Sequence, residues 1–203
     1  MTEDDARDWL LGRYGDAKFA TLERFVAALR LENTRQNLIS KASEGQIWAR
    51  HIVDSAQLEG FAPAAASWLD VGSGPGLPGI VLAIITERPV VMVEPRRRRT
   101  EFLAQTCQAL SLRSATVHQA MIEHVRDEPF DAITARAYAG LSDIFASTLH
   151  LASQSTTWIL PKGRTAEQEL EAAWPTWQGV FHVKRSLTDD EARIIVASGV
   201  KPR

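Results

Sequence analysis

The chain has 203 residues, of which 45% are hydrophobic and 24% charged, which is the size and composition of one globular domain and excludes a wholly disordered chain. Its 23 basic and 25 acidic residues give a net charge of −2, so overall charge gives no support to a nucleic-acid partner. The single cysteine, Cys107, excludes an internal disulfide and a zinc cluster built from cysteines.

The sequence shows neither a secretory signal nor a membrane span. Residues 1–8 are acidic, whereas a signal peptide would be basic and then apolar. The longest apolar stretch, residues 80–85, is far shorter than the roughly 20 residues that cross a bilayer. We therefore expect a soluble, cytoplasmic protein.

Residues 1–62 have the apolar spacing of helices. Positions 9, 10 and 14 mark a first short helix, and positions 19, 22, 25, 26 and 29 follow the i, i+3, i+4, i+7 pattern of a second. The polar stretch 33–43 predicts a loop. Ser43 and Gln46 resemble a capping box, which predicts a third helix that carries apolar residues 47–58 and closes at Gly60 and Pro63. We expect this helical segment to pack on the rest of the chain.

Residues 63–203 alternate short β-rich runs with helical patterns. The runs span 68–71, 90–93, 115–118, 131–134 and 157–160, and the helical patterns span 78–87, 99–110, 141–151 and 165–173. Such alternation predicts an α/β fold with a parallel sheet covered on both faces. Two last runs, 180–183 and 194–197, have no helical pattern between them, so these strands are antiparallel neighbours or lie apart in the sheet.

A glycine-rich loop, DVGSGPGLPG from Asp70 to Gly79, follows the first predicted strand and opens the next helix. Gly72, Gly74 and Gly76 lack side chains where the backbone must turn sharply and a ligand must come close. The N–H groups at the helix start favour a polar or negatively charged part of that ligand. The alternative is that these residues make only a tight turn between strand and helix.

Glu94 ends the second predicted strand, 22 residues after Gly72. A carboxylate there is placed to accept both hydroxyls of an adenosine ribose, so the loop and the acid together predict an adenosine-bearing cofactor. A dinucleotide fingerprint would have glycine where this chain has Leu77. Asp70 would repel a pyrophosphate but suits a ligand with an ammonium and a sulfonium cation. Both details favour S-adenosylmethionine over NAD.

Further residues accompany the glycine motif: Asn37-Leu38 with Ser40, Arg50-His51 with Asp54-Ser55, Phe130-Asp131 with Arg136-Ala137, and Lys162-Gly163. With these residues the chain resembles the class I methyltransferases. Within that class it resembles the bacterial 16S ribosomal RNA guanine-N7 methyltransferases, also called the glucose-inhibited division protein B family. The resemblance covers nearly the whole chain.

The resemblance implies a Rossmann-like fold, with a seven-stranded, mostly parallel sheet whose last strand is antiparallel. It implies methyl transfer from S-adenosylmethionine to N7 of one guanine in the decoding-region loop of 16S ribosomal RNA. It places cofactor contacts at Gly72 and Leu77 in the loop, at Ile122 and Glu123 after the third strand, and at Arg136 after the fourth. Residues 63–203 would then be the cofactor-binding core, and residues 1–62 a helical segment on it.

Guanine N7 carries an in-plane lone pair and no proton, so it attacks a methyl carbon without help from a base. The protein has to align N7, methyl carbon and sulfur, in a pocket that tolerates charge moving from sulfur to the purine. We therefore expect no obligatory general base and no metal. The Asn/Asp-Pro-Pro-aromatic motif of amino-group methylation is absent after the fourth strand, where residues 134–137 are Thr-Ala-Arg-Ala.

Arg136 is the candidate for bridging the cofactor and acceptor sites, because its guanidinium can stack on a base or donate to guanine O6. The alternative is a structural ion pair of Arg136 with Asp131 or Glu123 at the sheet edge.

Arg50 and His51 lie on the third predicted helix, where Arg50 has the i, i+4 spacing for an ion pair with Asp54. This helix is expected to cover the cofactor cleft and contact RNA. The alternative for His51 is a hydrogen-bonded packing residue.

Arg97 belongs to a run of four arginines, residues 96–99, at a helix start, where cations oppose the helix dipole. That placement suggests phosphate binding; the alternatives are a solvated face or screening of Glu94. Lys162 and Arg164 follow the fifth strand, on the edge where open α/β sheets bind ligands, and would complete a basic rim.

The expected partner is 16S ribosomal RNA, within the small subunit or an assembly particle, and we expect a monomer. Two other functions stay open at this point. One is an oxidoreductase with a nucleotide cofactor, against which Leu77 and Asp70 speak. The other is a non-catalytic RNA-binding or ribosome-assembly protein that has kept the fold.

Overall fold

The β-rich runs form one seven-stranded sheet in the computed structural model, which describes residues 1–203. The strands are β1 (Trp68–Val71), β2 (Val90–Val93), β3 (Ala115–His118), β4 (Phe130–Ala135), β5 (Ala152–Lys162), β6 (Trp177–Arg185) and β7 (Arg193–Pro202). Their order is β3-β2-β1-β4-β5-β7-β6. The first five pair in parallel, and β7 is antiparallel to both β5 and β6. The mostly parallel sheet with an antiparallel last strand is therefore confirmed.

Helices cover both faces of the sheet. They are α1 (Glu3–Gln36), α2 (Lys41–Glu44), α3 (Asp54–Ala56), α4 (Gly79–Thr86), α5 (Arg97–Ala109), α6 (Leu141–Thr148) and α7 (Ala166–Ala173). One apolar cluster joins α1, α4 and α5 to one face, and a second joins α6 and α7 to the other. Residues 79–85 of α4 are all buried, as expected for a helix that is apolar all round. No helix is both long enough and apolar enough to cross a membrane.

The N-terminal segment begins with the two predicted helices, which meet inside α1. Gly15 interrupts α1 with φ +77° and ψ 170°, backbone angles that favour glycine. The helix then runs to Gln36 and ends at Asn37 in the left-handed conformation, so the predicted loop begins four residues later than expected. The boundary at residue 62 stays a prediction; residues from both sides of it share the first apolar cluster.

The capping box predicted at Ser43 is wrong. Ser40 caps the short helix α2, and its side chain accepts a hydrogen bond from the Ser43 backbone N–H. The third predicted helix exists but is irregular: a π-helix, Trp48–Val53, leads into α3 and then into a 3-10 helix, Gln57–Phe61. Single π-helical turns are rare and occur often at functional sites.

Candidate active site

The predicted site residues lie at one edge of the sheet. The glycine loop follows β1, Glu94 follows β2, Arg136 follows β4 and Lys162 ends β5. These four strands are parallel neighbours, so their carboxyl ends meet at the edge where open α/β sheets bind ligands. The site has two halves, one around the glycine loop and one in an open cleft beside it.

Backbone angles and backbone hydrogen bonds determine the conformation of the glycine loop. Gly72, Gly74 and Gly76 have φ of +65°, +53° and +86°, which other residues rarely adopt. The N–H groups of Gly72 and Ser73 both donate to the Val93 carbonyl, at 2.8 and 3.1 Å, and so join the loop to the end of β2. The three glycines are therefore required by the backbone conformation itself.

Asp70 lies beneath the loop and is fully buried, so it does not face the cleft. Its Oδ2 accepts from the Gly79 N–H at 2.9 Å, which fixes the start of α4, and its Oδ1 has no partner. Burial raises the pKa of Asp70 to about 7, against the effect of its hydrogen bonds with Ser73 and Gly79. Asp70 therefore has no exposed surface from which to contact a ligand directly, and the attraction to a cationic ligand expected of it stays a prediction.

Glu94 is at the predicted strand end but is only 3% exposed. Its two carboxylate oxygens accept from the N–H groups of Gly74 at 3.0 Å and Arg96 at 2.9 Å. Arg99 lies 3.8 Å from the same carboxylate, which agrees with the predicted screening. Each carboxylate oxygen retains the capacity to accept another hydrogen bond, so ribose hydroxyls remain compatible with this position.

The remaining predicted cofactor positions differ in how far their side chains are exposed. The side chains of Leu77 and Ile122 are buried in the two apolar clusters, which leaves their backbone groups for a ligand. The side chain of Glu123 is exposed.

Tyr138 is a residue of the site that the sequence did not single out. Its ring lies directly against Gly72, where a side chain on the glycine would collide with it. The sequence offered one indication of its role: Tyr138 is the single large side chain in a stretch that otherwise consists of Ala137, Ala139 and Gly140.

The second half of the site is an open cleft of about 860 Å³. Four separate stretches of the chain line it, within residues 40–54, 136–140, 161–169 and 189–193. We call it the acceptor cleft. It adjoins the glycine loop through Arg136 and Tyr138, which follow the end of β4.

Arg136 is bound to the N-terminal helical segment. Its Nη2 donates to His51 Nδ1 at 3.1 Å, and its Nη1 lies 3.6 Å from Asp54 Oδ2. The alternative pairings with Asp131 or Glu123 are wrong: Asp131 accepts from the backbone of Ala66 and Ser67 at the opposite edge of the sheet. Burial lowers the pKa of Arg136, and the Asp54 carboxylate opposes this change.

His51 is neutral in this network. Burial, and then the cations of Arg136 and Arg50, lower the pKa of His51 to about 3. Because Nδ1 accepts from Arg136, the proton is assigned to Nε2, which donates to Ser43 Oγ at 2.9 Å. His51 therefore lines the cleft as a hydrogen-bonded residue that orients Arg136, as the packing alternative anticipated.

The predicted ion pair between Arg50 and Asp54 does not form. Arg50 pairs instead with Asp189 at 3.0 Å, in the turn between β6 and β7. Asp54 Oδ1 accepts from Gln57 and from Thr188 of the same turn, at 2.9 and 3.2 Å. The cleft is thus closed on one side by a polar network between chain segments that lie more than 130 residues apart.

The expected basic rim is only partly exposed. Lys162 is enclosed, with a side chain 8% exposed, and its Nζ donates to Glu169 at 2.7 Å and to the Ala139 carbonyl at 2.9 Å. It is therefore not free to contact RNA as predicted. Arg164 and Arg97 are 77% and 79% exposed, although each has a carboxylate partner on the surface. No group of three or more His, Cys, Asp or Glu side chains is placed to hold a metal ion.

Comparison with known proteins adds a family to this geometry. A family model described as "GidB: rRNA small subunit methyltransferase G" matches residues 18–190. The chain is similar to ribosomal RNA small subunit methyltransferase G of Erythrobacter litoralis, 44% identical over 200 residues, covering 98% of this chain and 97% of the relative. It is also 44% identical to the protein of that name from Sphingopyxis alaskensis, covering 97% of this chain and 86% of the relative.

Solved structures show the same fold at low identity. The cofactor-bound Rv0187 from MTB superposes with a TM-score of 0.68 at 13% identity, covering 98% of both chains. An O-methyltransferase from Bacillus cereus in complex with SAH has a TM-score of 0.59 at 18% identity, covering 88% of this chain and 90% of that one.

Proposed function

The chain belongs to the rRNA small subunit methyltransferase G family, and we propose that the two-part site described above carries out the reaction of this family. That reaction is the S-adenosylmethionine-dependent methylation of 16S ribosomal RNA at guanine N7. The glycine loop is the observation that carries the proposal. It combines three positive φ angles, hydrogen bonds to the end of β2 and the Glu94 carboxylate 3.0 Å from the Gly74 N–H.

These residues fit the cofactor. A side chain at Gly74 would meet the Arg99 guanidinium and the Gly72 carbonyl at 3.7 Å, which is ordinary contact distance, so without one a ligand can come close to the backbone there. Glu94 is within reach of the loop and can accept from ribose hydroxyls, while the backbone at Leu77 and Ile122 and the Glu123 side chain complete the proposed contacts. When bound, S-adenosylmethionine supplies a methyl group on a positively charged sulfur.

The residues of the acceptor cleft orient the base and do not move a proton. Guanine N7 has no proton to lose, and the one histidine in the cleft has its Nδ1 lone pair bonded to Arg136. Arg136 is held by His51 and Asp54 with its guanidinium at the cleft, where it can donate to guanine O6. The Asp54 carboxylate balances the guanidinium charge, which limits its repulsion of the positive charge that develops on the purine.

Substrate RNA is proposed to lie across Arg50, Arg97 and Arg164, which are among the exposed cations of this edge. A chain with net charge −2 has little general attraction for RNA, which favours a structured particle such as the small subunit or an assembly intermediate over free RNA. Because the substrate is ribosomal, we propose that the protein acts in the cytoplasm.

Methyl transfer from tritiated S-adenosylmethionine tests this function directly. The acceptors are 16S RNA and small subunits lacking the modification, and cleavage at 7-methylguanine maps the product. We expect label at one guanine, a larger rate on the subunit or particle, and loss of at least ~100-fold in kcat/KM for Arg136→Ala.

Arg113→Ala is the matched control, because Arg113 is exposed just before β3, at the opposite edge of the sheet. Binding of S-adenosylhomocysteine without methyl transfer to any of these acceptors would support the non-catalytic alternative. Label at an exocyclic amino group would contradict the proposed acceptor atom.

A further inference from the structure

The loop between β4 and α6 places an aromatic ring on the glycine loop. Tyr138 packs against Gly72 so closely that a side chain on the glycine would overlap its Cδ2 and stand 3.2 Å from its Cε2. The phenol is partly buried, and its pKa is raised first by that burial and then by the nearby Glu123 carboxylate. Tyr138 therefore contacts one proposed cofactor position, Gly72, and lies near another, Glu123.

The same residue also lines the acceptor cleft, beside Arg136. Gly72 has to be uncovered for a ligand to approach its backbone, so the ring and a bound cofactor compete for this space. The open volume next to the ring is the acceptor cleft, about 860 Å³. That cleft is the space available to a ring that leaves Gly72.

Side-chain contacts hold both ends of the loop, and the Tyr138 ring in its middle packs against the second apolar cluster. On one side Arg136 is bonded to His51 and Asp54. On the other, the Ala139 carbonyl accepts from Lys162. Between them Ala137 has φ +50°, a left-handed conformation that carries strain in a residue with a side chain. Rotation at residues 137 and 138 would move the ring without breaking either attachment, in exchange for its packing against the second apolar cluster.

We propose that Tyr138 is a positioning residue of the methyl transfer: its ring covers Gly72 in the free protein, turns into the acceptor cleft when the cofactor site fills, and packs there against the face of the target purine. The proposal rests on the proposed function. An aromatic ring is suited to this part because purines released from a helix stack on aromatic side chains. Filling the cofactor site would thereby prepare the acceptor site.

Fluorine NMR tests the movement of the ring. The chain has only two tyrosines, Tyr14 and Tyr138, so 3-fluorotyrosine labelling gives two resonances, and Tyr138→Phe assigns them. Tyr14 serves as the internal reference, since its hydroxyl donates to the Ala56 carbonyl in the N-terminal segment. We expect saturating S-adenosylhomocysteine to shift the Tyr138 resonance and leave that of Tyr14 in place.

Calorimetry on the same sample separates the possible failures. If S-adenosylhomocysteine binds and the Tyr138 resonance does not change, this proposal is overturned and the proposed function stands. If the wild-type protein does not bind S-adenosylhomocysteine, the proposed function fails and this proposal fails with it.

Three substitutions test the two positions of the ring. Tyr138→Ala should bind S-adenosylhomocysteine severalfold more tightly, because no ring covers Gly72, and should raise KM for the RNA substrate by roughly tenfold. Tyr138→Phe should resemble wild type in both measurements. Tyr138→Leu keeps an apolar side chain without a stacking face and should also raise KM for RNA. It replaces the Ala variant in this test if the Ala variant does not fold. Wild-type KM for RNA in the folded Ala or Leu variant would overturn the stacking step.

Discussion

The two halves of the active site are built in different ways. The glycine loop and Glu94 come from one stretch, residues 70–94, and are held by backbone hydrogen bonds and positive φ angles. The acceptor cleft comes from four stretches and is held by side chains such as Arg136, His51 and Asp54. Local sequence therefore determines the first half, whereas the second depends on the tertiary fold.

The two halves also differ in the protonation of their buried ionisable groups. Asp70, under the glycine loop, is favoured in its protonated form by burial, and its Oδ1 has no partner. His51, in the cleft network, is kept neutral by burial and by two arginines. Asp70 thus takes up a proton on folding and His51 releases one, so the two halves can be compared by measuring how stability depends on pH.

The largest loss of stability is expected for a substitution in the glycine loop, whose conformation requires glycine. Gly76→Ala places a methyl group against the Ile80 side chain and 3.0 Å from Leu103 Cδ2, at φ +86°. Overpacking and left-handed strain together should lower the free energy of unfolding by about 3 kcal/mol, measured by urea denaturation. In the matched control, Gly12→Ala, the methyl group meets nothing within 4 Å on an exposed helix, and the same measurement should show a small gain. Equal stability of the two variants would contradict the required backbone conformation.

The pH dependence of stability should differ in sign between the halves. The pKa of Asp70 is raised to about 7 in the folded protein, so its contribution to stability is present below about pH 4 and is lost as the pH rises towards 7. The pKa of His51 is lowered to about 3, so its contribution is present above about pH 6.5 and is lost as the pH falls. Between pH 4.5 and 6 the two slopes oppose each other in the wild-type protein.

Single substitutions separate these slopes. Relative to wild type, Asp70→Asn should make the free energy of unfolding rise with pH by up to about 1.4 kcal/mol per unit, and His51→Asn should make it fall by a similar amount. Urea denaturation at several pH values gives both slopes, and the double variant should return to the wild-type slope. Slopes of the same sign in the two single variants would refute the opposite protonation changes.

Sequence patterns predicted the parts of the fold that local burial determines. The bounds of β1, β2 and β3 agree with the predicted runs. β1 and β2 are buried throughout and mainly apolar, whereas β3 alternates half-buried and exposed residues. β5 was predicted as residues 157–160 but spans Ala152–Lys162, since its first half is mostly polar and exposed yet still lies in the extended conformation. Apolar runs identify the buried centre of a strand and not its solvated ends.

The acceptor cleft was harder to predict because its contacts are long-range. The bond between Arg136 and His51 joins residues 85 positions apart, and no spacing rule indicates such a pair. Tyr138 was missed because a lone aromatic residue in a loop has no periodicity. Lys162 was correctly placed at the sheet edge, but its enclosure by Glu169 and Ala139 depends on how α7 packs.

A smaller effect should separate two basic residues that the sequence treated alike. Lys162→Met removes an enclosed cation and leaves the Glu169 carboxylate and the Ala139 carbonyl without their partner, so we expect a loss of about 1–2 kcal/mol in the free energy of unfolding. Arg164→Met removes an exposed pair with Glu191 and should change it by less than about 0.5 kcal/mol. If Arg164→Met proves the more destabilising in urea denaturation, the assignment of Lys162 as a structural residue is wrong.

The smallest effect on stability is expected for Arg97, whose exposed i, i+4 pair with Glu101 contributes only a few tenths of a kcal/mol. If the guanidinium binds phosphate in the substrate complex, Arg97→Ala should instead weaken the salt dependence of KM for the small subunit. Removing one cation that neutralises a phosphate lowers the slope of log KM against log salt by about one. Arg113→Ala, at the opposite edge of the sheet, should leave that slope unchanged. Equal slopes for Arg97→Ala and Arg113→Ala would mean that Arg97 belongs to a solvated helix face and does not bind a phosphate of the RNA.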